Sequence, residues 1–449
     1  FNSIVTANCG EIGMGSYDSC RLIHINLTSV IKNPFTNKAE IDEELLYKLA
    51  YETLVLGDDL VDLEIEAINK IIETIKLKDA DEEIDLWENI NKTAKETRRC
   101  GVGFTGLADA IAMLNIKYCS EESFKYVENI MRIIFSAQLD ATIDLGILRG
   151  PFEGYDKSLE IKGNDWFSFV EKEFPNQYNR MMLYGRRNIS FSTVAPTGTV
   201  SLLARCSSGI EPVFLALYKR NVKCNSDSDR IDFIDGNGEK YTSYIVIHPA
   251  LKEWAIKNVF SSLSKEEIDS LPFEKWEDIL NKSPWKNATA SEISWMNRVK
   301  MQGLIQKYIT HSISSTINLP KETTEEEIEK IFLEAWKFGN KGQTVYRDGC
   351  RDGVLNSIKK EKPKELIESK APKRPDELEA DYYEIKSKGI RYAILVGIFD
   401  NKPYEIFAFE LNQEDANLKQ HKGKIIKIGK MHYRFVSDLI LLLQQIVGK

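Results

Sequence analysis

The sequence predicts an α/β body followed by a small α+β domain, and three observations carry that expectation. Up to about residue 355, stretches with apolar residues at helical spacing alternate with short extended runs. The run RRCGVGFTGLADAIAMLNI (98–116) turns from a buried strand through Gly101, Gly103 and Gly106 into an apolar helix. Beyond KKEKPKELIESKAPKRP (359–375), a charged and proline-containing linker, the pattern changes to alternating apolar and polar residues.

Taken in order, residues 39–76 and 80–99 read as charged amphipathic helices, the first clearest in DDLVDLEIEAINKIIETIK. After 98–116 come a helix over 122–147 and a strand at RNISFSTVA (187–195) that runs into APTGT. Helices over 290–313 and 325–338 flank the extended stretch SSTINLP, and GQTVYRDG (342–349) closes the body. YYEIKSKGIRYAILVGIFDNKPYEIFAFEL then reads as strands joined by a turn at FDNKPYE, with a terminal helix after them. Tyr382 and Tyr383 read as strand packing. The domains expected are 9–355 for the body, 356–375 for the linker and 376–449 for the α+β unit.

Composition narrows the function classes. With 43% hydrophobic and 29% charged residues over 449 positions, the chain has ample material for a packed core. A net charge of −8 argues against an extended nucleic-acid surface, though not against a local anion pocket. No apolar run reaches the ~18 residues of a membrane span, and the start lacks a basic-then-apolar signal pattern. Seven scattered cysteines do not form the even set of a secreted disulfide framework, which places the chain in a reducing cytoplasm.

Two constellations carry chemistry. In Cys9-Gly10-Glu11 the glycine allows a tight bend, so a thiol and a carboxylate can face one substrate from a loop. Cys20 lies eleven residues on, far enough for a hairpin return to the same site. A thiol with a carboxylate suits nucleophilic, redox or radical catalysis, while the bland alternative is a pair of small buried hydrophobes. No CxxC pair or histidine cluster completes a metal site around them. The second constellation is APTGTVSLLARCSSGIEPVF (195–214), where a strand runs into Pro196-Thr197-Gly198-Thr199 and a helix follows from Val200. Backbone N–H groups and hydroxyls at such a helix start suit a phosphate; the alternative is an ordinary N-cap at Thr199 or Ser201. The spacing is not that of a Walker loop.

Together, NCGEIGMGSYDSCRLIHINL, RRCGVGFTGLADAIAML, VAPTGTVSLLARCSSGIEPVF, SSTINLP and KGQTVYRDG resemble the catalytic subunit of ribonucleotide reductase, in family order over residues 9–355. The CGEI opening, the PTGT loop and the C-terminal appendage resemble the adenosylcobalamin-dependent (class II) branch. That resemblance implies part of a ten-stranded α/β barrel with a central finger loop, and reduction of ribonucleotides to 2′-deoxyribonucleotides. It makes Cys9 the thiyl-radical site, with adenosylcobalamin as the source of the radical that takes its hydrogen. Glu11 becomes the acceptor of the 3′-hydroxyl proton, and Cys20 one half of the reducing dithiol. Pro196, Thr197, Gly198, Thr199 and Ser201 become the substrate phosphate site. Cys100, Cys119, Cys206 and Cys224 read as structural, and Cys350 as a surface thiol.

The departures are as specific. The family has asparagine two residues before the radical cysteine, where this chain has Ala7, and Asn8 is one position off. The other redox cysteine, most of the effector site and a C-terminal cysteine pair have no counterpart here. FNSIVTAN before Cys9 resembles an intein's C-terminal tail, so residues 1–8 are set apart as such a tail. The partners implied are a ribonucleotide, the N-terminal half of the same enzyme, a thioredoxin-like or dithiol reductant, and a second copy in a homodimer. Two other readings are a class I large subunit, which needs a separate radical-generating protein, and a non-catalytic nucleotide-binding remnant.

Overall fold

The computed structural model describes residues 5–77, 83–161, 164–224, 230–234, 240–260, 263–350, 373–387, 390–411, 420–429 and 432–437. It divides into two compact units, 1–357 and 358–449.

The first unit is organised by parallel extended segments. Strand Arg21–Asn26 pairs in parallel with Cys100–Thr105, with Arg21 opposite Cys100 and Asn26 opposite Thr105. Residues 190–194 lie along the other edge of Cys100–Thr105, through a parallel bridge between Val102 and Ser192. A second parallel bridge joins Val194 to Ile313. The chain continues from there into strand Thr316–Leu319, which pairs in parallel with Thr344–Arg347. Five segments thus run side by side, and both outer edges of the array are open among the described residues. No closed barrel is present among them.

Stretch 187–195 differs from the expected strand. It is extended, but only Ser192 and Val194 form bridges, because hydroxyl groups replace ladder partners. The N–H groups of Phe191 and Ser192 donate to Thr310 Oγ1 at 3.0 and 2.9 Å, and Thr193 Oγ1 donates to the Glu11 carbonyl.

Helices cover the outer face. Helix Glu43–Leu77 buries Leu46, Ala50, Leu54, Gly57, Val61, Ile68, Ile72 and Ile75, one stripe at helical spacing. It packs against helix Glu121–Arg149, whose N-cap Ser120 accepts from Ser123 N. Helix Ile84–Thr97 ends at Arg98, a left-handed residue. The Arg98 guanidinium reaches back to fully buried Asp58 at 2.8 Å. Arg149, Arg187 and Asn188 also donate to Asp58, so one buried carboxylate joins two helices, the start of strand Cys100–Thr105 and the 187–188 segment.

The helix expected over 290–313 is shorter, Trp295–Gln306. Ser294 caps its start, and Gln306 Nε2 donates to the carbonyls of Ile309 and His311, turning the chain into the extended segment. Between the 195–214 turn and this helix lies a satellite of the first unit. A three-stranded antiparallel sheet (Leu217–Lys223, Lys240–Ile247, Phe233–Ile234) and helices Pro249–Asn258 and Phe273–Leu280 share a core around Trp254, Trp276 and Trp285.

The second unit is a five-stranded antiparallel sheet over residues 377–437. Asp400 and Asn401, both at positive φ, make the two-residue turn between Ile390–Phe399 and Lys402–Glu410, where FDNKPYE predicts one. Tyr382 is buried and stacks on Phe435, while Tyr383 is half-exposed. The expected terminal helix and most of the linker lie outside the described residues. No described helix is long and apolar enough to cross a membrane.

Candidate active site

The opening stretch folds as a finger. Val5–Thr6 and Gly13–Met14 pair antiparallel, Val5 opposite Met14. Inside the hairpin Ala7 N donates to Ile12 O at 2.9 Å and Gly10 N to Ala7 O at 2.8 Å, with Gly10 at φ 79°. Residues 5–8, set apart in the sequence as a tail, therefore form the first arm of this finger, and Cys9 is exposed at its tip. The finger is anchored to the parallel array through Glu11, whose carbonyl accepts from Ser312 N at 2.9 Å and Thr193 Oγ1 at 2.8 Å.

The Glu11 side chain is 5% exposed, and its Oε2 is buried without a partner. Such an atom is costly unless something else satisfies it, which marks it as an acceptor held ready. Cys20 stands at the start of strand Arg21–Asn26, where burial pushes its thiol up to about 12. Arg99 and Arg21 oppose that shift, and the charges of Asp18 and Glu11 add to it. A Cβ on Gly101 would meet the Cys20 sulfur at 2.7 Å, so glycine there makes room for the thiol. Cys100 is not its partner. Its sulfur lies against Gly57 and Asn188, on the face of the strand pair opposite to Gly101 and Cys20.

Cys9 and Gly10 line a cavity of about 1200 Å³ together with Pro196, Gly198 and Ser201. Two of the expected motifs, almost 190 residues apart in the chain, thus share one space. Helix Gly198–Ala204 begins there, and the first N–H groups of any helix lack intrahelical acceptors. Thr199 is exposed beside them. The Thr197 hydroxyl is engaged within the fold. The residue is buried at φ 53°, its hydroxyl lies 3.0 Å from Thr105 Oγ1, and it accepts from Gly209 N at 2.9 Å. That hydroxyl locks the turn. Ser201 Oγ is likewise bonded to Gly198 O and Ser208 Oγ.

Sequence reasoning left three groups unassigned. Glu211 lines the cavity, accepts from Thr316 N at 2.7 Å and pairs with buried Arg298. Its position inside the quoted SGIEPVF was the available signal. Asp109 and His248 pair across 139 positions, and no local pattern joins them. Thr193, which holds the finger, was visible only as a strand residue. Among the described residues no group of three or more His, Cys, Asp or Glu is placed to hold a metal.

Residues 2–346 match the family model described as ribonucleotide reductase, barrel domain, and residues 378–445 match the NrdJ homologue C-terminal domain. Relatives include a vitamin B12-dependent ribonucleoside-diphosphate reductase of Mycobacterium tuberculosis, 27% identical over 80% of this chain and 42% of the relative. A protein of the same name from Thermoplasma acidophilum is 29% identical over 83% of this chain and 41% of its own length. The chain thus spans about two fifths of these relatives. Among solved structures, the Actinobacillus ureae class Id ribonucleotide reductase alpha subunit aligns with a TM-score of 0.46 and 18% identity, covering 77% of this chain and 53% of that one. With a finger hairpin carrying Cys9 into the same cavity as the 196–201 turn, and a family match over three quarters of its length, this chain belongs to the ribonucleotide reductase barrel family.

Proposed function

We propose that this chain is the C-terminal catalytic segment of an adenosylcobalamin-dependent ribonucleotide reductase, converting ribonucleotides to 2′-deoxyribonucleotides in the cytoplasm. The observation that carries this reading is Cys9 at the tip of a finger loop in the cavity that Pro196, Gly198 and Ser201 also line. The names of the relatives from Mycobacterium tuberculosis and Thermoplasma acidophilum, both specifying vitamin B12, favour the cobalamin branch over a class I large subunit.

The cavity is larger than a nucleotide alone requires. At about 1200 Å³ it exceeds the ~300–1,000 Å³ of an ordinary small-molecule site. Leu202, Phe214, Leu215 and Val246 provide an apolar wall that would hold a large ring system. When bound, adenosylcobalamin would supply the radical that begins each turnover.

The chain's own residues do the rest. Cys9, as a thiyl, takes the 3′ hydrogen of the ribose, forming an S–H bond as a C–H bond breaks. Glu11, with its unpartnered Oε2, accepts the 3′-hydroxyl proton, which helps the 2′-hydroxyl leave as water. Cys20, kept protonated by burial, and a second thiol together give two protons and two electrons. One proton leaves with the 2′-hydroxyl as water, and a hydrogen atom goes to C2′. The last electron, with the proton returned from Glu11, restores the 3′-hydroxyl as the two sulfurs close a disulfide. Cys9 then returns its hydrogen to C3′. The substrate phosphates sit at Thr199 and the N–H groups that begin helix Gly198–Ala204, while Thr197 and Ser201 hold that turn from behind.

The second thiol and five further strands belong, on this reading, to an N-terminal segment. Five parallel segments with two open edges suit half of a ten-stranded barrel, and the match covers only about two fifths of the relatives. The whole enzyme acts as a homodimer re-reduced by a dithiol protein. Anaerobic assay of the chain with its N-terminal segment tests the cofactor. Deoxynucleotide formation with adenosylcobalamin alone is expected, and product only in the presence of a diiron or dimanganese partner protein would transfer the chain to class I.

A further inference from the structure

A second cavity of the first unit, of about 430 Å³, has no part in the reaction assigned to Cys9. Its volume falls within the ~300–1,000 Å³ of an ordinary small-molecule site. Ser190, Thr310 and Lys341 line it, and each precedes one of the parallel segments, whereas Pro196 and Asn318 of the larger cavity stand toward the ends of theirs. The two cavities therefore lie toward opposite ends of the array.

One wall of the smaller cavity is already fixed. The buried Arg186 guanidinium lies 5.5, 5.7 and 5.7 Å from the ring centroids of Phe152, Trp166 and Phe167. It also pairs with Glu160 and donates to the carbonyls of Asn188 and Ile189. Asp156, the other carboxylate of the lining, accepts from Ser158 N and Oγ. Both acids are thus engaged, and Arg186 with them.

Lys341 is different. Its Nζ donates to the carbonyls of Thr310 and His311, both at 2.8 Å, and no carboxylate pairs with it among the described residues. Desolvation lowers its pKa from 10.5 with no carboxylate opposing the shift, the mark of an ammonium without a counter-ion. Two of its three N–H groups are used, and one is left. Thr310 brings Ser190 to the same place, because Thr310 Oγ1 accepts from the N–H of Phe191, the next residue. The Ser190 hydroxyl has no partner among the described residues and also lines the cavity. An unpaired ammonium and a free hydroxyl beside an aromatic wall are the donors and the surface that an organic anion needs. The same stretch reaches the finger. Lys341 holds the carbonyls of residues 310 and 311, and the N–H of Ser312 donates to the Glu11 carbonyl.

We propose that this cavity binds a small organic oxyanion on an apolar body through Lys341 and Ser190, and that its occupancy steadies the 310–312 stretch that anchors the finger. A carboxylate and a phosphate monoester both offer that chemistry.

Calorimetry on the full chain with benzoate, phenyl phosphate and uncharged benzyl alcohol tests the site. At least one of the anions should bind more tightly than benzyl alcohol. Benzoate alone assigns the site to a carboxylate, and phenyl phosphate alone to a phosphate monoester. Lys341→Gln should weaken the bound anion about tenfold or more, the loss of one charge-assisted hydrogen bond, and Ser190→Ala about threefold. If the thermal midpoint shows that Lys341→Gln is misfolded, Ser190→Ala decides. Anion binding unchanged in both variants places the probe at another site and overturns the proposal, as does binding of neither anion by the unmodified chain. In hydrogen exchange the bound anion should slow the Ser312 amide in the unmodified chain and not in Lys341→Gln, and an unchanged rate overturns the link to the finger. None of these readouts depends on the reaction assigned to Cys9.

Discussion

Cys20 illustrates how one residue's surroundings set its chemistry. Burial raises its thiol from the ordinary 9.0 to about 12, so at neutral pH it holds its proton and is suited to give up a proton with an electron. The folded value lies above the unfolded one, so its contribution to stability is complete below pH 9 and is lost as pH rises toward 12. Iodoacetamide at pH 8 should therefore modify exposed Cys9 and Cys350 well before Cys20, as read by peptide mass mapping. Fast labelling of Cys20 would contradict this placement. At the residue scale the sequence was informative where the chemistry is local. Cys9, Gly10 and Glu11 are neighbours, and a tight bend between thiol and carboxylate follows from their order. The partners of the Thr197 hydroxyl, Thr105 and Gly209, were not legible, because only the fold brings them near.

Among the elements, strand Cys100–Thr105 owes its place to its glycines. A Cβ on Gly103 would lie 2.3 Å from the Thr193 carbonyl oxygen, a backbone atom that cannot swing aside as a side chain does. Thr193 also anchors the finger through Glu11, so Gly103→Ala disturbs stability and the loop together. Overpacking of this kind costs about 1–3 kcal/mol. A drop of that size in chemical denaturation is expected, with Gly106→Ala unsuitable as a control because Gly106 has φ 81°. The long helices 43–77 and 121–149 were legible from apolar spacing alone, because one face of each meets one neighbour. The 187–195 and 290–313 stretches were not. In the first, hydroxyl groups stand in for ladder partners, and in the second Gln306 ends the helix through its side chain. Neither contact has a local signature.

At the scale of the whole molecule, the parallel array has two open edges among the described residues, and the Glu11 acceptor is unpartnered, both of which suit the proposed C-terminal segment. Held geometry is what makes the hydrogen exchange fast, and well-oriented reactants gain about 7–11 kcal/mol of barrier lowering. The finger has both arms, two internal hydrogen bonds at Ala7 and two anchoring ones to the Glu11 carbonyl, so on the proposed reading turnover waits on the rest of the barrel and a second thiol. The most direct measurement is deoxynucleotide formation by the chain joined with its N-terminal segment, comparing Cys9 with Cys9→Ser. A serine O–H is too strong to enter the exchange, yet the change in size hardly alters an exposed loop tip. Product should fall below detection while nucleotide binding stays within about twofold, a difference under 1.4 kcal/mol. Substantial turnover by Cys9→Ser would contradict the thiyl assignment and, with it, the reading of the finger loop as the catalytic centre.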